Sequence, residues 1–144
     1  MSLILHIETA TAVCSVALSR DGSLLALKES SLKNVHSSVI TQFIKDIFEE
    51  TGLELSVPDA IAVGKGPGSY TGLRIGVATA KGLCYALDKP LISVGTLHAM
   101  SSGLRASGFG LIREDDMRNA KLQTANCKLI YCPIIDARRM EVYY

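Results

Sequence analysis

The sequence predicts an α/β fold with the element order βββαβαβα, built around a mixed sheet that has helices on both faces. Three observations lead to this prediction. Three apolar runs near the start are separated by short polar turns, which is typical of an antiparallel meander. A long amphipathic helical pattern follows the meander. Two strand–helix pairs then follow, and such pairs add parallel strands joined by crossover helices.

The meander comes first along the chain. Residues 3–7 and 12–18 are apolar strand candidates joined by a short turn, Glu-Thr-Ala-Thr. Asp21-Gly22 is a strong signal for a two-residue hairpin, because both positions of the favoured turn need a positive φ. Residues 24–28 are the third strand.

Residues 33–52 change to a helical period. Asn34 is a candidate N-cap, and Gly52 is a candidate stop. One broad face is apolar, and the remaining positions are polar, as expected for a helix that packs on a sheet. The apolar positions are Val35, Val39, Ile40, Phe43, Ile44, Ile47 and Phe48.

A short apolar strand at 60–63 then leads through a glycine-rich elbow into a nearly uncharged helix at 72–87. Ser69 and Thr71 are both candidate N-caps for this helix. A strand at 90–94 and a helix at 96–105 complete the pattern, with Thr96 as a candidate cap.

These elements predict a first domain at 1–105. Residues 106–127 are polar and mixed, and we expect a connecting loop or short helix there. Residues 128–144 contain two further strand candidates that would begin a second, similar domain. Because the last residues lie inside a strand pattern, we expect a truncated protein.

The elbow allows two interpretations. Gly66 and Gly68 tolerate a positive φ, and Ser69 and Thr71 stand where a helix begins, so these four residues form a possible phosphate loop. Alternatively, the glycines only allow a tight turn and close helix packing. A P-loop is excluded because no Gly-Lys-Ser or Gly-Lys-Thr occurs in the chain, and a dinucleotide fingerprint would need glycine at position 69 or 71.

Composition narrows the functional classes. The formal net charge is +1, which gives no reason to expect strong binding to nucleic acid or membranes. No segment approaches the length of a membrane span, and the start carries no basic leader, so we expect a cytoplasmic protein. The four cysteines form no Cys-x-x-Cys pair, which indicates reduced, mostly buried thiols. They are Cys14, Cys84, Cys127 and Cys132.

No complete catalytic or metal-binding set is visible. Glu8 ends the first strand, where an acid could bind a metal ion, but a single carboxylate is not enough, and an acid that accepts N–H bonds in the turn is the better interpretation. His98 has Ser102 four positions later, so a two-histidine metal pair is missing. His36 stands at a helix start, which favours capping or a partner contact. His6 fits packing within a strand. We expect no metal and no cofactor.

Both central helices are unusually apolar. Such helices either lie wholly under other parts of their own chain or present a surface to a partner. The second helix also contains several small residues, which let another backbone approach closely.

One stretch is distinctive enough to carry a resemblance: the elbow at 66–76, GPGSYTGLRIG, closely resembles the signature of the bacterial TsaB (YeaZ) family. Residues 3–11, 14–18 and 135–143 agree with it. The resemblance implies the ribonuclease-H-like core of the actin-like (ASKHA) superfamily. It also implies a non-catalytic subunit of the machinery that forms N6-threonylcarbamoyladenosine at position 37 of ANN-decoding tRNAs.

The same resemblance implies partners. TsaB-type proteins bind and support the catalytic subunit TsaD, are joined by the ATPase TsaE, self-associate when alone, and meet tRNA only through the complex. On this chain the binding helices would be 35–48 and 73–87, with an interface through Val39, Phe43, Ile47, Gly72, Gly76 and Ala80. The alternative is a small ATPase or kinase-like domain that uses Glu8 and the elbow.

Overall fold

The structure, a computed structural model of the chain, describes residues 1–31, 36–106, 135–138 and 141–143. It divides into two compact units, Met1–Thr96 and Leu97–Tyr144. The predicted domain boundary at 105 stays a prediction. The connecting segment predicted for 106–127 lies, except for its first residue, outside the described residues, as do Cys127 and Cys132.

The predicted meander is confirmed. Strands β1 (Leu3–Glu8), β2 (Cys14–Arg20) and β3 (Ser23–Ser30) pair in series and antiparallel. Asp21 has a φ of 51° and Gly22 a φ of 81°, so both turn residues adopt the left-handed conformation that the two-residue hairpin requires.

Helix α1 (His36–Thr51) matches the predicted amphipathic segment. It ends where Gly52 adopts a φ of 65°, which a glycine reaches without steric cost. Ile40, Ile44, Ile47 and Phe48 are buried, as the helical period predicts. The candidate cap Asn34 lies outside the described residues.

The two strand–helix pairs are also confirmed. They comprise β4 (Ala60–Gly64), α2 (Tyr70–Leu87), β5 (Leu91–Val94) and α3 (Thr96–Ala106). Helix α2 begins two residues earlier than predicted, and Asp88 ends it in the left-handed conformation. Thr96 is the first residue of α3, and its buried hydroxyl has no hydrogen-bond partner among the described residues, so the prediction that it caps the helix is wrong.

The five strands of the first unit form one mixed sheet in the order β3-β2-β1-β4-β5. β1 and β4 are parallel, as are β4 and β5. β1 is therefore central, with its antiparallel hairpin partner on one side and a parallel strand on the other. The carboxyl ends of β1 and β4 meet at the same edge of the sheet.

Helices α1 and α2 lie on the same face of this sheet, where they share one core with Leu5, Leu18 and Ile61. The reason is topological. The crossovers from β3 to β4 and from β4 to β5 move in the same direction along the sheet. Successive right-handed crossovers in one direction place their helices on one side.

The described part of the second unit includes an antiparallel pair, β6 (Ile135–Arg138) and β7 (Glu141–Tyr143). The sequence predicted that a strand at 128–135 pairs with one at 139–144. β7 lies within the second range, whereas β6 shares only Ile135 with the first and continues to Arg138. The earlier part of the strand predicted at 128–135 lies outside the described residues. Along the described ranges, no helix is long and apolar enough to cross a membrane.

Candidate functional site: the glycine-rich elbow and the outer face of helix α2

The elbow between β4 and α2 is held by a cap and by a contact with the turn after β1. The Ser69 hydroxyl accepts a hydrogen bond from the Gly72 N–H at 3.3 Å, which makes Ser69 the N-cap. Thr71 lies in the first turn of α2, so the alternative prediction that it is the cap is wrong. Gly66 has a φ of 97°, which explains the need for glycine there.

The Thr9-Ala10 turn lies directly on the elbow and the first turns of α2. The Ser69 N–H donates to the Ala10 carbonyl at 2.6 Å, and the Thr9 hydroxyl donates to the Gly72 carbonyl at 2.8 Å. Thr9 is only 1% exposed. Two segments far apart in sequence are therefore joined by direct hydrogen bonds at the edge where β1 and β4 end.

Glycines make this approach possible. A Cβ atom at Gly68 would overlap Ala10, and a Cβ atom at Gly72 would overlap the Thr9 carbonyl oxygen. At Gly76 it would overlap the Thr9 hydroxyl. The spacing of these glycines thus follows the surface of the turn, and it favours the interpretation in which they allow close packing.

The Glu8 carboxylate occupies the space beside this contact. Its Oε1 accepts hydrogen bonds from the backbone N–H groups of Thr9 at 2.8 Å and Ala10 at 2.7 Å. Gly64 lies so close that a Cβ atom there would overlap the carboxylate. Glu8 therefore acts as an acceptor that closes the turn, as the sequence suggested.

These contacts bear on the possible phosphate loop at Gly66, Gly68, Ser69 and Thr71. The Ser69 N–H donates a hydrogen bond to the Ala10 carbonyl, and the Ser69 hydroxyl caps α2. Every contact described for these residues belongs to packing or capping. A ligand at this elbow stays a prediction.

The six residues predicted to form the partner interface lie mostly on the inward sides of α1 and α2. Four of its six residues face inward. Ile47 and Ala80 belong to the core, and Gly72 and Gly76 are buried against Thr9. The remaining two residues, Val39 and Phe43, are half-buried. The small residues that suggested a partner surface pack inside the unit, and the predicted interface stays a prediction.

Helix α2 does present an outward face, and sequence reasoning missed its aromatic part. Tyr70 is 74% exposed and Tyr85 is 90% exposed. Arg74 and Lys81 are exposed between them, and the Arg74 guanidinium lies 5.5 Å from the centre of the Tyr70 ring. We call this set, with exposed Ala78 and Gly82, the α2 outer face.

A simple count could have found this face. Tyr70 and Lys81 are eleven positions apart, as are Arg74 and Tyr85, and eleven residues make about three helical turns. All four therefore project from one side of α2. No acidic residue occurs anywhere in this helix, and the nearest one along the chain after it, Asp88, is the C-cap.

The histidines and cysteines form no centre within the described residues, where no group of three or more His, Cys, Asp or Glu could hold a metal ion. The His6 Nε2 lies 2.7 Å from the Ser19 hydroxyl, and burial lowers the pKa of His6. Burial raises the pKa of the Cys14 thiol, which favours its inert, protonated form. His98 and Ser102 are both exposed on α3, and the side chain of His36 lies outside the described part of the structure.

Known proteins with similar sequences point to one family. The family model described as TsaD, tRNA N6-adenosine threonylcarbamoyltransferase, matches residues 29–110. The TsaB protein of Escherichia coli, whose name assigns it to tRNA threonylcarbamoyladenosine biosynthesis, is 43% identical over 69% of this chain and 43% of its own length. The TsaB protein of Haemophilus influenzae is 34% identical over 98% of this chain and 52% of its own length.

A solved structure agrees. YeaZ from Pseudomonas aeruginosa superposes with a TM-score of 0.69 at 36% identity, over 75% of this chain and 51% of that one. The chain thus spans about half the length of the curated relatives it matches. The matched sequence, the actin-like fold and the elbow all agree with the resemblance drawn from the sequence: the chain belongs to the TsaB (YeaZ) family.

Proposed function

We propose that this protein is a non-catalytic subunit in the formation of N6-threonylcarbamoyladenosine at position 37 of ANN-decoding tRNAs, where it binds and supports TsaD. Family membership supports the pathway, since the relatives' names place them in this biosynthesis. The TsaE ATPase would join the pair, and tRNA would be reached only through the complex. The place of action would be the cytoplasm.

One observation argues most directly for the role of a non-catalytic subunit. The elbow and the acid beside it, where an actin-like enzyme would hold phosphates, use their polar groups within the chain. The Glu8 carboxylate closes its own turn, and Ser69 caps α2. The site therefore contributes to the rigidity of the unit, and a rigid unit with exposed helical surface suits a protein that holds a partner.

The α2 outer face is the surface that we propose for this contact. It combines two exposed tyrosines and an arginine, residue types enriched where protein interfaces bind most strongly. Ala78 and Gly82 between them are small and exposed, so a partner helix can approach the backbone closely. Val39 and Phe43 on α1 remain candidates for the edge of the contact.

Co-expression with TsaD from the same organism tests the proposal. We expect the two proteins to co-purify, and we expect threonylcarbamoyladenosine to form in tRNA only when both are present with TsaE and the threonylcarbamoyl-adenylate donor. Modification by TsaD without this protein would contradict the proposal. So would ATP hydrolysis by this protein alone that Glu8→Gln abolishes, because that result favours the ATPase alternative.

A further inference from the structure

A cavity of about 310 Å³ lies between the end of α1 and the β2–β3 hairpin, and we call it the hairpin cavity. It is lined by Arg20, Leu25, Glu50, Thr51 and Leu53. We propose that the hairpin cavity binds a small zwitterion of the aliphatic amino-acid class. The carboxylate of the ligand lies at Arg20 and its ammonium group at Glu50. All five lining residues belong to the first compact unit, so the site needs no partner and is independent of the contact with TsaD.

A β-bulge shapes the apolar wall of the hairpin cavity. Leu24 and Ala26 of β3 pair with consecutive residues of β2, so Leu25 between them is an extra residue without a partner in the register. Bulges redirect side chains and are common at sheet edges and beside functional sites. Leu25 is 40% exposed and lines the cavity together with Leu53 from the turn after α1. These two leucines provide the surface that an aliphatic side chain of the ligand covers.

Arg20 provides the positive charge of the cavity. It is the last residue of β2 and pairs with Leu3 on one side and Ser23 on the other, so two strands fix its backbone. Its side chain is exposed, and it is in no ion pair within the described part of the chain. A guanidinium presents two parallel N–H donors that match the two oxygens of a carboxylate. We therefore assign the carboxylate of the ligand to Arg20.

Glu50 provides the negative charge. Its Oε2 lies 2.5 Å from the Lys28 Nζ, and this ion pair joins β3 to α1 beside the cavity. A carboxylate can accept several hydrogen bonds, so Glu50 can accept from a second ammonium group while it keeps Lys28. Glu50 and Thr51 are the last two residues of α1, where the helix dipole also favours a positive charge. The ammonium group of the ligand is therefore assigned to Glu50.

Size and charge together restrict the ligand. Pockets for small molecules and cofactors are typically about 300 to 1,000 Å³, so the hairpin cavity lies at the lower end of this range. A simple anion would meet the carboxylate of Glu50, and a simple cation would meet the guanidinium of Arg20. A molecule that carries both charges avoids both repulsions. Valine and leucine combine these charges with an aliphatic side chain.

An NMR titration of the isotope-labelled protein with L-valine and L-leucine tests the proposal. We expect saturable shifts of the backbone amides of Leu25, Thr51 and Leu53 at ligand concentrations up to about 10 mM. Isocaproate, which lacks the amino group of leucine, and isopentylamine, which lacks its carboxylate, should each bind at least about tenfold more weakly. The absence of saturable shifts with both amino acids would overturn the proposal. Binding of either analogue as tight as that of leucine would also overturn it.

Two charge-removing variants locate the ligand. Arg20→Gln and Glu50→Gln should each weaken the binding of L-leucine by about tenfold or more, because each removes one charge-assisted contact. Arg74→Gln on α2 and Glu49→Gln on α1 are matched controls at exposed positions, with expected changes below about twofold. Losses of equal size in the controls would contradict the assignment. Circular dichroism should show unchanged folding for all four variants, because all four positions are exposed.

A further variant separates the contact with the ligand from the ion pair of Glu50. Lys28→Gln breaks the ion pair but leaves the Glu50 carboxylate in the cavity. We expect Lys28→Gln to bind L-leucine at least as tightly as the unaltered protein, because Glu50 loses a competing cation. A loss as large as that in Glu50→Gln would show that the ion pair only holds the wall in place, and it would overturn the assignment of the ammonium group.

Discussion

The hydroxyl of Thr9 donates a hydrogen bond to the carbonyl oxygen of Gly72 at 2.8 Å, across 63 positions of sequence. This bond joins the turn after β1 to the first turn of α2. It is surrounded by glycines at positions 68, 72 and 76, whose missing side chains leave the room that the turn fills. The relationship explains why the elbow sequence is distinctive without requiring a ligand.

The glycines at the contact should be intolerant of substitution. Gly72→Ala or Gly76→Ala forces a Cβ atom into Thr9, and we expect each to lower the free energy of unfolding by at least about 2 kcal/mol, measured by urea denaturation. Gly82→Ala is the control in the same helix, because open space surrounds that position. It should stabilise by up to about 1 kcal/mol. Equal effects at Gly72 and Gly82 would contradict the packing role.

The cap assignment gives a second prediction. Ser69→Ala removes the acceptor for the Gly72 N–H and should cost about 1 kcal/mol of unfolding free energy. Thr71→Ala, two positions later and exposed, should change stability by less than about 0.5 kcal/mol. Chemical denaturation of both variants measures the difference. A larger loss for Thr71→Ala would show that the helix is capped in another way.

Glu8 should matter for stability. Glu8→Ala leaves the N–H groups of Thr9 and Ala10 without their acceptor, so we expect a loss of about 2 kcal/mol in unfolding free energy. Glu49→Ala on the exposed side of α1 serves as the control and should be nearly neutral. A stable Glu8→Ala variant that has lost only an enzymatic activity would contradict the structural role.

His6 should make stability depend on pH. Burial lowers the pKa of His6 below its ordinary value of 6.5, so the unfolded chain binds the proton more readily. The contribution of His6 to the free energy of unfolding is therefore complete above about pH 6.5. It is lost as the pH falls through the lower pKa that His6 has in the folded state. Between about pH 7.5 and about pH 5.5, the melting temperature should fall less for His6→Gln than for the unaltered protein. An NMR titration that gives His6 a pKa of 6.5 or higher in the folded protein would contradict this prediction.

Much of the fold follows from local signals. Asp21-Gly22 specified the hairpin because few other pairs adopt two positive φ values. The spacing of Ile40, Ile44 and Ile47 specified the buried side of α1. Period and turn chemistry act over a few residues, so they can be recognised without knowledge of the rest of the chain.

The site was less predictable, because its contacts join distant segments. Gly72 and Gly76 look like a surface for another helix, and only the position of Thr9 shows that their space is filled from within. The side of the sheet taken by α1 and α2 depends on strand order, which no local pattern gives. The outward side of α2 was overlooked because attention went to its small residues, although the spacing of Tyr70 and Tyr85 marks it.

The position of β1 between β2 and β4 also affects the order in which the strands pair as the chain folds. The hairpin with β2 closes over a short loop, so this half of the sheet can assemble as soon as the first thirty or so residues are available. The parallel neighbour starts at Ala60 and must wait for the intervening helix. One edge of the central strand is therefore left open during synthesis until β4 has been made, and over that time the edge can pair with a neighbouring chain.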